Sequence, residues 1–397
     1  MDSITVVGAS LAGMRAAQTL RREGFDGRIV VVGEEPDEPY DRPPLSKAYL
    51  TGEDPTDAVR PAVRDVDQLD LTWRRGRRAV ALDVADRAVE LDDGERIVAD
   101  GVVLACGAAA RRLPGIDGIE GVHVLRTLAD ARALRADLDA APRRVLVVGA
   151  GFIGAEVAAS CRERGLAVTI VEALPMPLSR VLPPPLAAWC AELHRTHDVD
   201  MRLSTGVEGV EREARGRVAG VRLADGVVVE ADVVVVGIGV APNTAWLEGS
   251  GLTLDDGVVC DATTLAAPGV VAAGDVARWD HPRYGLVRVE HWDNAVEMGA
   301  HAARRLLAGD DGSAFAPVPW FWSDQYDRKI QLAGRCRPDD DVHVVEGSLE
   351  EGRVVALIGR DGELRGVFGV NRPAPLNRWR LRLADGIGWD EAIALDG

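Results

Sequence analysis

Lysine is almost missing from this chain. Of 46 basic residues only Lys47 and Lys329 are lysine, and the rest are arginine. Cysteine is sparse. Cys106, Cys161, Cys190, Cys260 and Cys336 are scattered, with no C-x-x-C pair. That excludes a zinc ribbon, an iron–sulfur cluster held by four cysteines and a disulfide framework, and it fits free thiols in a reducing cytoplasm. The seven histidines give no metal-ligand spacing. His194 and His197 lie three apart, but nothing nearby completes a site, so no metal is expected. No apolar run approaches the roughly 20 residues of a membrane span. A strand begins by Ile4, which leaves no room for a signal peptide. Positive charge is in deficit overall: the net charge is −17, which argues against nucleic acid and acidic membranes as partners. A cytoplasmic protein of two or three domains is expected from 397 residues, of which 47% are hydrophobic.

What the chain does have is one phosphate-binding device written twice. Gly8-Ala9-Ser10-Leu11-Ala12-Gly13 follows the apolar run Ile4–Val7 and opens a helical pattern. Gly149-Ala150-Gly151-Phe152-Ile153-Gly154 follows Val145–Val148 and opens another. In such a turn the first glycine permits the tight bend. The second lets backbone N–H groups approach a pyrophosphate, and the third lets helix and strand pack closely. Glu34 and Glu172 end the next strand of each unit, where a carboxylate can accept ribose hydroxyls. One fingerprint is a common accident. Two in strand–turn–helix context predict two dinucleotides on one chain, most economically a flavin fed by a nicotinamide. Ser10 in the middle position weakens the first copy taken alone.

The order of elements suggests nesting. Strand, helix and strand fill 4–32, and a Pro-rich loop leads to Ser46-Lys47. Small strands cover Val80–Leu91 with a turn at Asp92-Asp93-Gly94, and a buried strand ends at Cys106-Gly107. A hinge-like link (108–125) and a helix (Leu128–Leu138) precede the second fingerprint. Strands after 232 have no third fingerprint to serve, so they are expected to return to the first domain: Gly251–Val259, then Gly269–Ala273 before Gly274-Asp275. A helical pattern runs from His291 to Leu307. Beyond Pro317 the texture turns aromatic and β-rich, and it ends in a helical tail carrying Arg378, Arg380 and Arg382.

Several motifs occur together in this order: Tyr40-Asp41-Arg42-Pro43-Pro44-Leu45-Ser46-Lys47, Gly149–Glu156, Val236-Gly237-Ile238-Gly239, Ala273-Gly274-Asp275 and Pro319-Trp320-Phe321-Trp322-Ser323-Asp324-Gln325. Along essentially its whole length the chain resembles the NADH-dependent ferredoxin reductases of bacterial oxygenase systems, the family of putidaredoxin reductase, rhodocoxin reductase and the reductases of aromatic-ring dioxygenases. The resemblance implies an α/β, glutathione-reductase-like fold: two Rossmann-like dinucleotide-binding domains plus a C-terminal α+β domain. It implies an FAD domain in two segments (1–108 and 236–316), an NAD domain (109–235) and an interface-like or dimerisation domain (317–397).

Residue by residue, the resemblance implies that Gly8, Ser10, Gly13, Glu34, Arg42, Lys47, Arg126, Gly274, Asp275, Trp292 and Trp322 serve non-covalent FAD. Glu34 would take the ribose, Asp275 the ribitol chain, and Trp292 a place beside the isoalloxazine. Gly149, Gly151, Gly154, Glu156, Glu172, Gly237 and Gly239 would serve NADH. Lys47 and Glu156 would pair near flavin N5 as the catalytic residues, and Glu172 would repel the extra phosphate of NADPH. Ala105-Cys106-Gly107 departs from the family's Ala-Thr-Gly, so the resemblance does not carry over a hydroxyl hydrogen bond at Cys106.

The expected partner is a small iron–sulfur ferredoxin that feeds an oxygenase, and the reductase itself is expected as a monomer or homodimer. Ferredoxins are acidic, so a local basic patch is needed to receive one. Residues 365–384, with Arg365, Arg372, Arg378, Arg380 and Arg382 and no acid, are one candidate, and Arg74–Arg78 is the other. A disulfide reductase or NADH oxidase of the same fold would need a redox cysteine within 35–60, where there is none. The other alternative is an interaction protein resembling apoptosis-inducing factor, which shares the Arg-Pro-Pro-Leu-Ser-Lys motif.

Overall fold

The computed structural model describes residues 1–52, 54–309 and 312–395. They fall into two compact units. The first holds Met1–Asp41, Arg60–Ala109 and Ala241–Pro319; the second holds Arg42–Val59, Ala110–Val240 and Trp320–Gly397.

The first unit is built on a six-stranded sheet. Its strands run in the order Leu265–Ala267, Val270–Ala272, Gly101–Leu104, Ser3–Val7, Arg28–Gly33 and Leu71–Arg75. All neighbours are parallel except the first two. Ile4–Val7 and Ile29–Val32 are buried on both faces, which is why they read as near-continuous apolar runs, broken only by Thr5. The helices Leu11–Arg22 and Trp292–Ala308 pack tightly together. A Cβ on Gly299 would collide with the Ala12 carbonyl, so glycine sets that approach. Late strands do return to the first sheet: Val270–Ala272 pairs with Val102–Leu104.

The second unit carries a five-stranded parallel sheet, in the order Val199–Arg202, Ala167–Val171, Arg144–Val148, Val233–Val236 and Val122–Val124. An antiparallel three-stranded sheet spans Val207 to Glu230. A five-stranded antiparallel sheet follows, ordered Trp320–Gln325, Arg328–Gly334, Glu363–Val370, Arg353–Arg360 and Asp341–Ser348. Its buried face, with Ile330, Leu332, Ala356, Ile358 and Phe368, shares one core with Leu186, Cys190 and Leu193 of the helix Pro184–Arg195. The helix Pro373–Asp385 closes the other side through Leu376, Trp379 and Leu383.

Candidate functional site

The first cradle joins the strand Ser3–Val7 to the helix Leu11–Arg22. Gly8 has φ +117°, a region that L side chains rarely adopt, and a Cβ there would overlap the Ala105 carbonyl. A Cβ on Gly13 would collide with the Gly8 carbonyl oxygen. The second cradle repeats this. Gly149 has φ +99°, a Cβ on it would run into the Gly237 carbonyl, and one on Gly154 would strike the Gly149 carbonyl.

The middle position differs. A Cβ on Gly151 would meet only the Gly237 oxygen, at 4.0 Å, and its φ of −76° is open to any residue. The equivalent Ser10 has φ −96° and is the N-cap of its helix, where serine is a favoured type. The protein therefore does not need glycine in the middle; that small residue leaves room in front of the helix N-terminus. Both cradles offer a pyrophosphate a tight turn and a helix N-terminus, and Ser10 sits in ordinary backbone space in the first.

Glu34 is exposed just past the strand Arg28–Gly33. Glu172 is half-buried and reaches back to its own cradle: its carboxylate accepts the Ala150 N–H at 2.8 Å and the Leu174 N–H at 2.9 Å. Gly237 packs its Cα side onto Gly154 and donates to the Val148 carbonyl, and Gly239 turns the chain at φ +94°.

Elsewhere in the first unit, Gly274 (φ +73°) would press a Cβ against Ala12 at 2.9 Å, and Asp275 follows, buried, in the short helical turn Gly274–Val276. The Trp292 indole N–H donates to Asp41 Oδ1 at 2.6 Å. The Cys106 thiol donates to the Asn243 carbonyl at 3.3 Å, while the Asn243 amide donates back to the Cys106 carbonyl at 2.8 Å.

The second unit gathers three motifs on one carboxylate. Glu156 lies in the second turn of the helix Phe152–Glu163 and is 4% exposed. Its Oε2 accepts the Ser46 hydroxyl at 2.6 Å and the Lys47 ammonium at 2.7 Å. Its Oε1 accepts the Ser323 hydroxyl at 2.9 Å and the Asp324 N–H at 3.3 Å. A buried carboxylate is tolerated only when paired and hydrogen-bonded, and this one is both. One turn along the same helix, Ser160 donates to the Ser46 carbonyl at 2.7 Å, so Ser46 is held at both ends. Lys47 and Glu156 are thus brought together. Ser46, Ser160 and Ser323 complete the cluster, although only the motifs containing the first and last stood out in the sequence.

Arg42 donates to the Arg126 carbonyl at 2.6 Å. Arg126 precedes a capping box in which Thr127 and Asp130 bond reciprocally. Trp322 is half-buried, its ring centroid 5.3 Å from that of Trp320 and 5.9 Å from the Lys329 ammonium.

The thiols are quiet. Burial pushes Cys161, Cys190 and Cys260 up to about 12 and Cys106 to about 11, and it raises Cys336 as well. Among the described residues no His/Cys/Asp/Glu group could hold a metal, and no helix is long and apolar enough to cross a membrane.

Comparison with known proteins fits this geometry. Residues 2–299 match the pyridine nucleotide-disulphide oxidoreductase family and 320–397 match the reductase C-terminal family. The chain belongs to the pyridine nucleotide-disulphide oxidoreductase family. It is 42% identical to rhodocoxin reductase of Rhodococcus erythropolis, covering 94% of this chain and 87% of that one. It is 38% identical to the ferredoxin–NAD(+) reductase component of the anthranilate 1,2-dioxygenase system of Burkholderia cepacia, covering 97% and 95%. Among solved structures it resembles putidaredoxin reductase in its covalent complex with putidaredoxin, with TM-score 0.91, 33% identity and coverage of 97% and 93%. The reductase is an FAD- and NADH-dependent oxidoreductase with two nucleotide-binding units and a C-terminal β-rich region.

Proposed function

We propose that the reductase takes hydride from NADH and delivers two single electrons to two molecules of a small [2Fe-2S] ferredoxin that serves an oxygenase. The products are NAD+, one proton and two reduced ferredoxins. FAD, when bound, supplies the conversion from a two-electron donor to a one-electron acceptor. The reading rests on the pair of cradles, each closed by glycines at its ends and open at its middle. It is supported by relatives named as ferredoxin reductases.

The chain's own residues bind and orient. Gly8, Ser10, Gly13, Glu34, Arg42, Lys47, Arg126, Gly274, Asp275, Trp292 and Trp322 are the residues assigned to FAD. Gly149, Gly151, Gly154, Glu172, Gly237 and Gly239 hold NADH. Glu172 offers a carboxylate where NADPH would bring a phosphate, which favours NADH. Lys47 sets a positive charge and Glu156 a buried negative one beside the nicotinamide path. Hydride transfer needs its atoms held at roughly 3–3.5 Å, so positioning is the protein's main share.

The test is NADH-driven cytochrome c reduction with and without added ferredoxins. Reduction should depend on a [2Fe-2S] ferredoxin. A rate unaffected by every ferredoxin tried, with brisk oxygen consumption instead, would favour an NADH oxidase.

A further inference from the structure

We propose that Ser323 and Ser46 are positioning residues for hydride transfer, which act only through Glu156. This rests on the reading of Lys47 and Glu156 given above. A carboxylate offers about four lone-pair sites. Those of Glu156 are filled by Ser46 O–H, Lys47 N–H, Ser323 O–H and Asp324 N–H. All four are donors, so Glu156 has both oxygens committed within the cluster. Its role is to aim the Lys47 ammonium.

The two serines decide that aim. Ser46 shares Oε2 with Lys47, so it sets how far the ammonium can swing about that oxygen. Ser323 holds Oε1, and with it the plane of the carboxylate. Both hydroxyls are braced. Ser46 is tied by Ser160 to the helix that carries Glu156. Ser323 is 0% exposed and accepts a 3.1 Å bond from the Gln325 amide, which leaves its own hydrogen directed at Glu156. The serine of Arg-Pro-Pro-Leu-Ser-Lys and that of Trp-Phe-Trp-Ser-Asp-Gln therefore perform one task from two distant stretches of chain.

Stopped-flow reduction of the FAD-loaded enzyme by NADH tests this. Ser323→Ala should lower the limiting rate about tenfold, the effect of losing one hydrogen bond to a charged group, with NADH affinity changed less than about twofold. Ser323→Thr, which keeps the hydroxyl, should recover most of the rate. Ser46→Ala should act in the same direction. The deciding comparison is a cycle: Ser323→Ala placed on Glu156→Gln should add no further slowing, because the residue has nothing left to aim. An independent readout is the visible spectrum of the resting, NADH-free flavoprotein, which Ser323→Ala should displace in the same sense as Glu156→Gln. Additive slowing in the cycle, or a Thr variant as slow as Ala, would overturn the proposal, since either marks a merely structural role. Where Ser323→Ala loses FAD or fails to fold, the Thr variant and Ser46→Ala carry the same test. If Lys47→Ala and Glu156→Gln leave reduction untouched, the reading of that pair fails instead.

Discussion

The Glu172 carboxylate accepts the amide hydrogen of Ala150, inside the very turn whose nucleotide it is expected to recognise. One side chain thus shapes the cradle and, on the proposed reading, would also meet the ribose. Replacing it should have two effects. Glu172→Ala should narrow the preference for NADH over NADPH by about tenfold through relief of charge repulsion. It should also weaken NADH binding, because the turn loses its brace. Steady-state kcat/KM for both cofactors measures this, and equal values in the unmutated enzyme would defeat the argument.

The glycines separate by position. Gly13→Ala should yield protein without yellow colour, since its Cβ would meet the Gly8 carbonyl. Gly154→Ala should keep FAD but lose reduction by NADH. Ser10→Gly should change flavin content little, because that position already sits in ordinary backbone space. Flavin absorbance after gel filtration decides. Acid precipitation should release all flavin into the supernatant, as non-covalent binding requires.

The two lysines should differ sharply. Lys47→Ala removes the ammonium from a buried carboxylate and should slow flavin reduction by tenfold or more. Lys329 is paired with Asp324 at 2.8 Å and is 45% exposed, so Lys329→Ala should cost little in reduction rate. Indistinguishable bleaching rates for the two variants would count against a role for Lys47.

Thiol reagents should do little. With Cys106 raised to about 11 and Cys161, Cys190 and Cys260 to about 12, the thiolate fraction at pH 8 is about a thousandth or less. The folded enzyme incubated with iodoacetamide at pH 8 should keep its NADH-to-ferricyanide rate. Rapid inactivation would point to a working cysteine after all.

The basic patches are not equivalent. Arg74, Arg75 and Arg77 are bridged to Glu95, Glu38 and Asp93, so the Arg74–Arg78 run is largely neutralised. In the helix Pro373–Asp385, Arg378 and Arg382 are exposed beside Leu381, 69% exposed, and Arg380 lies over the Trp320 ring at 5.3 Å. Arg378→Glu should therefore lower the ferredoxin rate several-fold while sparing ferricyanide, and Arg75→Glu should do less. Added salt should slow ferredoxin reduction steeply, since steering is screened over about 8–10 Å. Insensitivity to both would locate docking on apolar contacts.

The sequence made the cradles legible because their demands are local: each glycine answers to a backbone atom a few residues away or in the adjoining strand. Lys47 and Glu156 could be paired only by resemblance, since no periodicity links residues so far apart. Of the hydroxyls that complete their cluster, Ser46 and Ser323 lie inside motifs that do not reveal their shared target, and Ser160 lies in none. The helix Pro184–Arg195 hides behind Pro183-Pro184-Pro185, which reads as a breaker although the first helical turn accepts proline. Gly251–Val259 reads as a strand, but Asp256 and Gly257 both adopt positive φ, Leu254 makes only an isolated bridge to Val258, and the strand itself begins at Val258. Charge runs mislead in the same way. Arg74–Arg78 looks free until Glu38, Asp93 and Glu95 are placed beside it.

The sheet of the first unit has a consequence for synthesis. Gly101–Leu104 gains its outer parallel neighbour only from Val270–Ala272. At about 5–20 residues per second that edge stays unpaired for roughly 10–30 s after it leaves the ribosome. Meanwhile every strand of the parallel sheet spanning Val122 to Val236 has been made. The nucleotide core that starts later in the chain is thus the one that can close first. The earlier half waits with an open apolar edge, the point at which overexpression at high temperature should first show aggregation.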